Sequence, residues 1–160
     1  MAVSSTTTVV SFTGNGSTTA FAVSFPFQGS GTTAELEVVE RVIATGAETV
    51  KSNPSDFTVS GGNGSTGTVT AGSAPADTVQ WHIRRTTTRT QTVDYTANDP
   101  FPADTHELAL DRLAMATHEI QEQLNRTIRV SRTNSITTSE FTENATARAS
   151  KLLAFDASGN

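Results

Sequence analysis

Three histidines, His82, His106 and His118, are the side chains in this chain best suited to hold a metal ion or move a proton. Their spacing argues against both roles. His106-Glu107 opens like a zinc-protease helix motif, but that motif needs a second histidine four residues on, where Leu110 stands. His106 and His118 are twelve residues apart, about 18 Å along a helix, and cannot ligate one ion from a single helix. With no cysteine, a thiol nucleophile and disulfides are both excluded. Serine and threonine make up more than a quarter of the residues, so a lone serine signals little, and no Gly-x-Ser-x-Gly elbow occurs. GGNGSTG, residues 61–67, has the glycine content of a phosphate loop but no following Lys-Ser/Thr pair, and a hairpin turn accounts for it better. The carboxylates are scattered. No catalytic set, metal-ligand set or cofactor motif emerges, and the chain reads as a non-enzyme.

One dense basic patch remains. Arg84, Arg85 and Arg89 surround Thr86–Thr88 and form either a docking point for an acidic partner surface or a solvated strand end. A net charge of −5 argues against a nucleic-acid partner. No stretch approaches the roughly 20 apolar residues that span a bilayer. The opening MAVSSTTTVVSF lacks the charged and apolar regions of a signal peptide. Asn15, Asn63, Asn125 and Asn144 match the glycosylation triplet, as chance provides in a chain so rich in Ser and Thr. The protein therefore reads as synthesised in the cytoplasm, with no membrane partner.

The elements that would position these residues are mainly β. At 160 residues with 35% hydrophobic content, the chain can bury one modest core. Lacking disulfide staples, it gains most from oligomerisation. TTTVVSF leads into the turn Gly14-Asn15-Gly16, and in TTAFAVSFPF the residues Phe21, Val23 and Phe25 share a face by period two. Pro26 marks a strand end or an edge strand. AELEVVERVI places Leu36, Val38 and Glu40 on one face, with a hairpin through residues 44–47 to ETVKS. DFTVS and TGTVTAG flank the Gly-rich turn. TVQWHIRRTT alternates Val79, Trp81 and Ile83 with Gln80, His82 and Arg84, and Gln91–Thr96 is a further strand candidate. Short strands with turn chemistry between them predict a small antiparallel β-sandwich or barrel over 1–96, with Phe12, Phe21, Phe25, Val79, Trp81 and Ile83 in its core.

The pattern changes at Asn98-Asp99-Pro100-Phe101-Pro102. Within a 97–130 segment, Asp104 stands as an N-cap with Glu107 as its capping-box partner, and a helix runs to about Arg126. Arg126 and Arg129 suit its C-terminal dipole. Leu110, Leu113, Thr117, Ile120 and Leu124 recur at 3-4-3-4 spacing, a heptad seam flanked by Ala114 and Ala116. Asp111, Arg112, His118, Glu119 and Glu122 lie opposite and predict a solvated face. The seam packs either on the chain's own sheet or against copies of itself. Residues 131–160 read as an extended connector.

In order and spacing, FTGNGSTTAFAVSFPF, DFTVSG, GTVTAGSAPADTVQWHIRRTT and VDYTANDPFPADTHELALDRLAMATHEIQE together resemble the N-terminal domain of T7-type bacteriophage tail fibre proteins, over roughly residues 11–126. Ile83-Arg84-Arg85, Val93-Asp94-Tyr95 and the 104–126 helix stand in that family's places. The resemblance implies a structural virion protein that anchors a homotrimeric fibre or tailspike to the tubular, adaptor or nozzle proteins of the tail. The helix would start the trimeric seam, and Arg84, Arg85 and Arg89 are the candidates for docking to the tail. Family members usually continue for hundreds of residues. Stopping at Asn160 suits either a fragment of a longer fibre or a short adaptor that hands over to a separate receptor-binding protein. A carbohydrate-binding sandwich on a host-recognition fibre is the rival, and it requires exposed aromatics.

Overall fold

The computed structural model describes residues 3–91, 93–94, 100–128 and 133. Seven strands precede one helix: β1 (Val9–Thr13), β2 (Ala20–Phe27), β3 (Leu36–Val42), β4 (Glu48–Lys51), β5 (Phe57–Gly61), β6 (Ser65–Ala71), β7 (Val79–Arg85) and α1 (Ala103–Asn125). One sheet has the order β1-β7-β3-β4 and the other β2-β6-β5, with every pairing antiparallel. The expected β-sandwich followed by one long helix is thus the architecture of the described residues.

Period-two patterning builds the core. Phe21, Val23, Phe25 and Phe27 from β2, with Phe57, Val59, Val69 and Ala71 from its neighbours, face Val38, Trp81 and Ile83 of the four-stranded sheet. Phe12 covers one side, with its ring centroid 5.2 Å from that of Phe21, which lies 5.6 Å from Trp81. Tilted aromatic pairs of this kind add to their burial. Val79, expected in the core, is only half-buried because it starts β7 at the rim of the sandwich.

Turn chemistry fixes the hairpins. Asn15 Oδ1 accepts hydrogen bonds from the amides of Ser17 (3.0 Å) and Thr18 (2.7 Å), an Asx turn that returns the chain from β1 to β2. Gly62, Asn63 and Gly64 all take positive φ between β5 and β6. Within β6, a Cβ on Gly67 would stand 2.8 Å from Phe27 Cζ, so the bare backbone is what admits that ring to the core. Pro26 lies inside β2, an edge strand, at a register shift between Val23 and Phe27. There its missing donor breaks no ladder bond.

Three expectations shift at the helix. Its first intrahelical bond runs from the His106 amide to Pro102 O (3.0 Å), and α1 begins at Ala103. Asp104 is therefore inside the first turn, a partner for the helix dipole rather than a cap, and Glu107 is not its capping-box mate. The helix ends at Asn125, so Arg126 follows the last turn, while Arg129 lies outside the described residues. Of the Gln91–Thr96 strand candidate, Gln91, Val93 and Asp94 are described and are not in a strand. Gln91 instead closes a local loop on the backbone of Val93, donating to its carbonyl and accepting from its amide. Residue 133 apart, the 131–160 connector lies outside the described residues. Among the described residues no helix is long and apolar enough to cross a membrane.

Among the described residues, Glu40 is the group whose surroundings clearly shift its titration. It stands opposite Trp81 in the β3–β7 register, and its Oε2 accepts from Trp81 Nε1 at 2.8 Å. Lys51 Nζ lies 2.9 Å from its Oε1. Burial pushes the carboxyl up, but the hydrogen bonds from Lys51 and Trp81 and the ammonium charge together hold it below its ordinary 4.5. A depressed carboxylate stabilises the fold above its unfolded value and loses that contribution as pH falls through the folded one. Urea unfolding of the wild type and Glu40→Gln between neutral pH and pH values below 4.5 should give stability curves that converge on the acid side. Parallel curves would assign Glu40 no linkage.

Candidate functional site

The side chains that matter most join the helix to the sandwich. β7 alternates inward residues Trp81, Ile83 and Arg85, so Arg85 points into the molecule as the last member of an apolar face. Its side chain is completely buried. Nε donates to Glu119 Oε1 (2.9 Å), Nη1 to Pro26 O (2.8 Å) and Nη2 to Met115 O (3.2 Å). The guanidinium carbon sits 5.8 Å from the centroid of the Phe25 ring, close enough for cation–π attraction. Glu119 is equally spent, accepting from the Thr87 hydroxyl (2.6 Å) and from the Thr87 amide at both oxygens (3.2 Å each). A second tie lies alongside. Glu35 accepts from the Thr88 amide (3.3 Å) and pairs with Arg112 Nη1 (3.3 Å).

These bonds turn α1 in the opposite sense from its amphipathic pattern. Asp111, Met115 and Glu119, one helical turn apart, are its buried residues, and Arg112, His118 and Glu122 are half-buried. The face expected to be solvated is the inner face. The reason is that Glu119 and Arg112 find opposite charges and amide donors on the sandwich, which offsets the loss of water that unpaired burial would impose. Packing of the apolar seam on the chain's own sheet is correspondingly overturned. Leu110 is 53% exposed, Leu113 65%, Ile120 45% and Leu124 47%, with Leu108 and Phe101 also exposed nearby. Between this seam and the strand-free segment after β7 runs a cleft of about 450 Å³ whose walls include Thr90, Val93, Ala109, Leu113, Ala116 and Ile120.

The basic patch divides. Arg85 is not a docking residue, because its side chain is buried and each of its three nitrogens already donates a hydrogen bond within the molecule. Arg84 is half-exposed and pairs with Glu37, and Arg89 is exposed. The histidines are dispersed. His82 Nδ1 lies 2.7 Å from Ser11 Oγ in the β1–β7 register, the His106 ring is tilted 58° to that of Phe101, and His118 is half-buried on α1. The arrangement is an apolar helix face held outward by a polar clasp. Sequence alone carried a signal for Arg85, its even spacing from Trp81 and Ile83. It carried none for Glu119, whose partner is 34 residues away.

Removing one member of a buried ion pair strands the other charge and costs about 3–5 kcal/mol, whereas replacing both by apolar groups is often nearly neutral. Glu119→Ala should lower the unfolding free energy obtained from urea titration by an amount in that range and speed amide exchange along α1. The double variant Arg85→Met with Glu119→Leu should recover much of the loss, and additive losses would mean the two groups are not coupled. No family model matches this chain, and no curated protein matches it in sequence, so the functional argument rests on this geometry and on the sequence pattern.

Proposed function

We propose that the chain is a structural attachment module that self-associates through α1, as the N-terminal part of a phage tail fibre or short fibre adaptor. The observation that carries this reading is the outward apolar seam. With Leu110 at heptad position a, Leu113 and Ile120 fall at d, and Thr117 and Leu124 again at a. The residues docked on the sandwich, Asp111, Met115 and Glu119, occupy b, f and c. Each helix thus wears its own β-domain on the outside of a prospective coiled coil and leaves positions a, d, e and g open.

Two details favour three strands over two. Leucine at a with isoleucine at d disfavours parallel dimers, and Leu124 and Ile120 follow that rule. Alanine at 109, 114 and 116 widens the apolar face, letting more than one neighbour approach. Thr117 is compatible with the seam because its hydroxyl donates to Leu113 O at 2.8 Å, so no donor would be stranded on burial. A trimer of this kind presents three sandwiches outward to a tail ring and passes load down the helical axis, the role implied by the resemblance to T7-type fibres. It needs no active site and no cofactor. The sugar-binding rival has less support. Trp81 is buried and donates to Glu40, and among the described aromatics only Phe101 is strongly exposed.

Light scattering of the purified full chain should give three times the protomer mass of 16.8 kDa. Leu113→Asp with Ile120→Asp should give the protomer alone with unchanged circular dichroism, because neither side chain contributes to the protomer core. A wild type that stays at protomer mass at every attainable concentration would overturn the assignment.

A further inference from the structure

We infer a second binding site: the cleft where the end of β7 meets the C-terminal half of α1 receives carboxylate side chains from an acidic segment of a partner protein. The cleft measures about 380 Å³, and its walls include Thr8, Arg84, Arg89, Glu122 and Gln123. Arg85, Thr87 and Glu119 also line it, and their hydrogen bonds are consumed by one another and by the backbone. The remaining cations are differently placed. Arg84 Nη2 pairs with Glu37, yet its Nε is buried and has no hydrogen-bond partner. Arg89 is exposed and forms no ion pair among the described residues.

Arg84 Nε is closed to solvent, so a ligand meets the exposed remainder of that guanidinium, whose side chain is 39% accessible. The fork geometry of a guanidinium matches a planar carboxylate better than any other common group. Two arginines provide two anchor points, so a run of acidic residues gains over a single carboxylate through effective concentration. Polyphosphate is the less suitable ligand. Glu119 and Glu122 share the cleft with three arginines, leaving one net positive charge there on a chain of net −5. A field that weak gives no long-range selection for the charge of a nucleic-acid backbone, so the choice of ligand rests on the match between guanidinium fork and planar carboxylate. Its arginines lie on the sandwich, apart from the seam residues 110, 113, 117, 120 and 124, and of its walls only Gln123, at heptad position g, borders the seam, so the site goes beyond self-association.

The test is a titration of the full ¹⁵N-labelled chain with blocked hexaglutamate, following the side-chain Nε–H signals of Arg84 and Arg89. Saturable shifts at both signals, abolished by added salt, are expected, with affinity reduced at least about tenfold in Arg89→Glu. Arg89 is exposed and unpaired among the described residues, so that variant should keep the fold. Gln123→Glu, exposed on the helix side of the same cleft, should weaken binding in the same direction and serves if Arg89→Glu misfolds. The assignment is overturned by an absence of saturable shifts, by equal affinity in both variants, or by equal shifts with hexalysine. Tighter binding of an oligothymidylate would make the cleft a phosphate site and would overturn it too. Because the readout does not depend on oligomer mass, its failure is separable from failure of the trimer.

Discussion

The buried Arg85–Glu119 pair sets which face of α1 meets the sandwich and which is left outside. A helix with a broad apolar stripe would ordinarily turn that stripe toward the nearest sheet, since each buried leucine contributes about 2 kcal/mol. Here the sandwich has already closed its core with Phe25, Phe27, Val38 and Ile83, and what it offers the helix is a guanidinium and the Thr87 amide and hydroxyl. Only an acidic helix face can satisfy those groups. Met115 fills the apolar gap between the polar bonds, fully buried, and its carbonyl takes the third arginine donor. The apolar stripe is left outside as a consequence of that match.

Much of the fold is legible from residue pattern because sandwich strands report themselves locally. Alternation in AFAVSFPF and VQWHIRR, glycine and asparagine at residues 14–16 and 62–64, and a proline confined to an edge each have a cause within a few residues. β4, β5 and β6 follow from the same signals. What local pattern misses is the meaning of a charge at an inward position. Arg85 has the parity of Trp81 and Ile83, but its charge suggests the surface until its partner is known. That partner is 34 residues downstream on another element. The same non-local pairing explains the inverted helix faces: amphipathicity identifies two faces of α1 without saying which one the sheet can satisfy. The misplaced cap has a smaller cause. Pro102 supplies the first helical carbonyl, and proline's fixed φ lets the helix start just after it, one residue ahead of the acidic signal.

Why a polar clasp rather than more leucine? A helix with apolar residues all round would have had two ways to bury itself, on its own sheet or on its copies. Guanidinium hydrogen bonds are directional, and the three made by Arg85, to a carboxylate, to Met115 O and to Pro26 O, are met together at one rotation and one height of α1. Glu35, holding both Arg112 and the Thr88 amide, fixes a second point nearer the helix start. Two such points define an axis, which a greasy contact does not. Buried ion pairs add little net stability over apolar replacements, and what distinguishes this contact is the direction of its bonds. In the proposed role of carrying load along a shared helical axis, a helix held at two points on its own sandwich would keep the seam in register with its neighbours, and the small β-domain would act as an arm rather than a tethered bead.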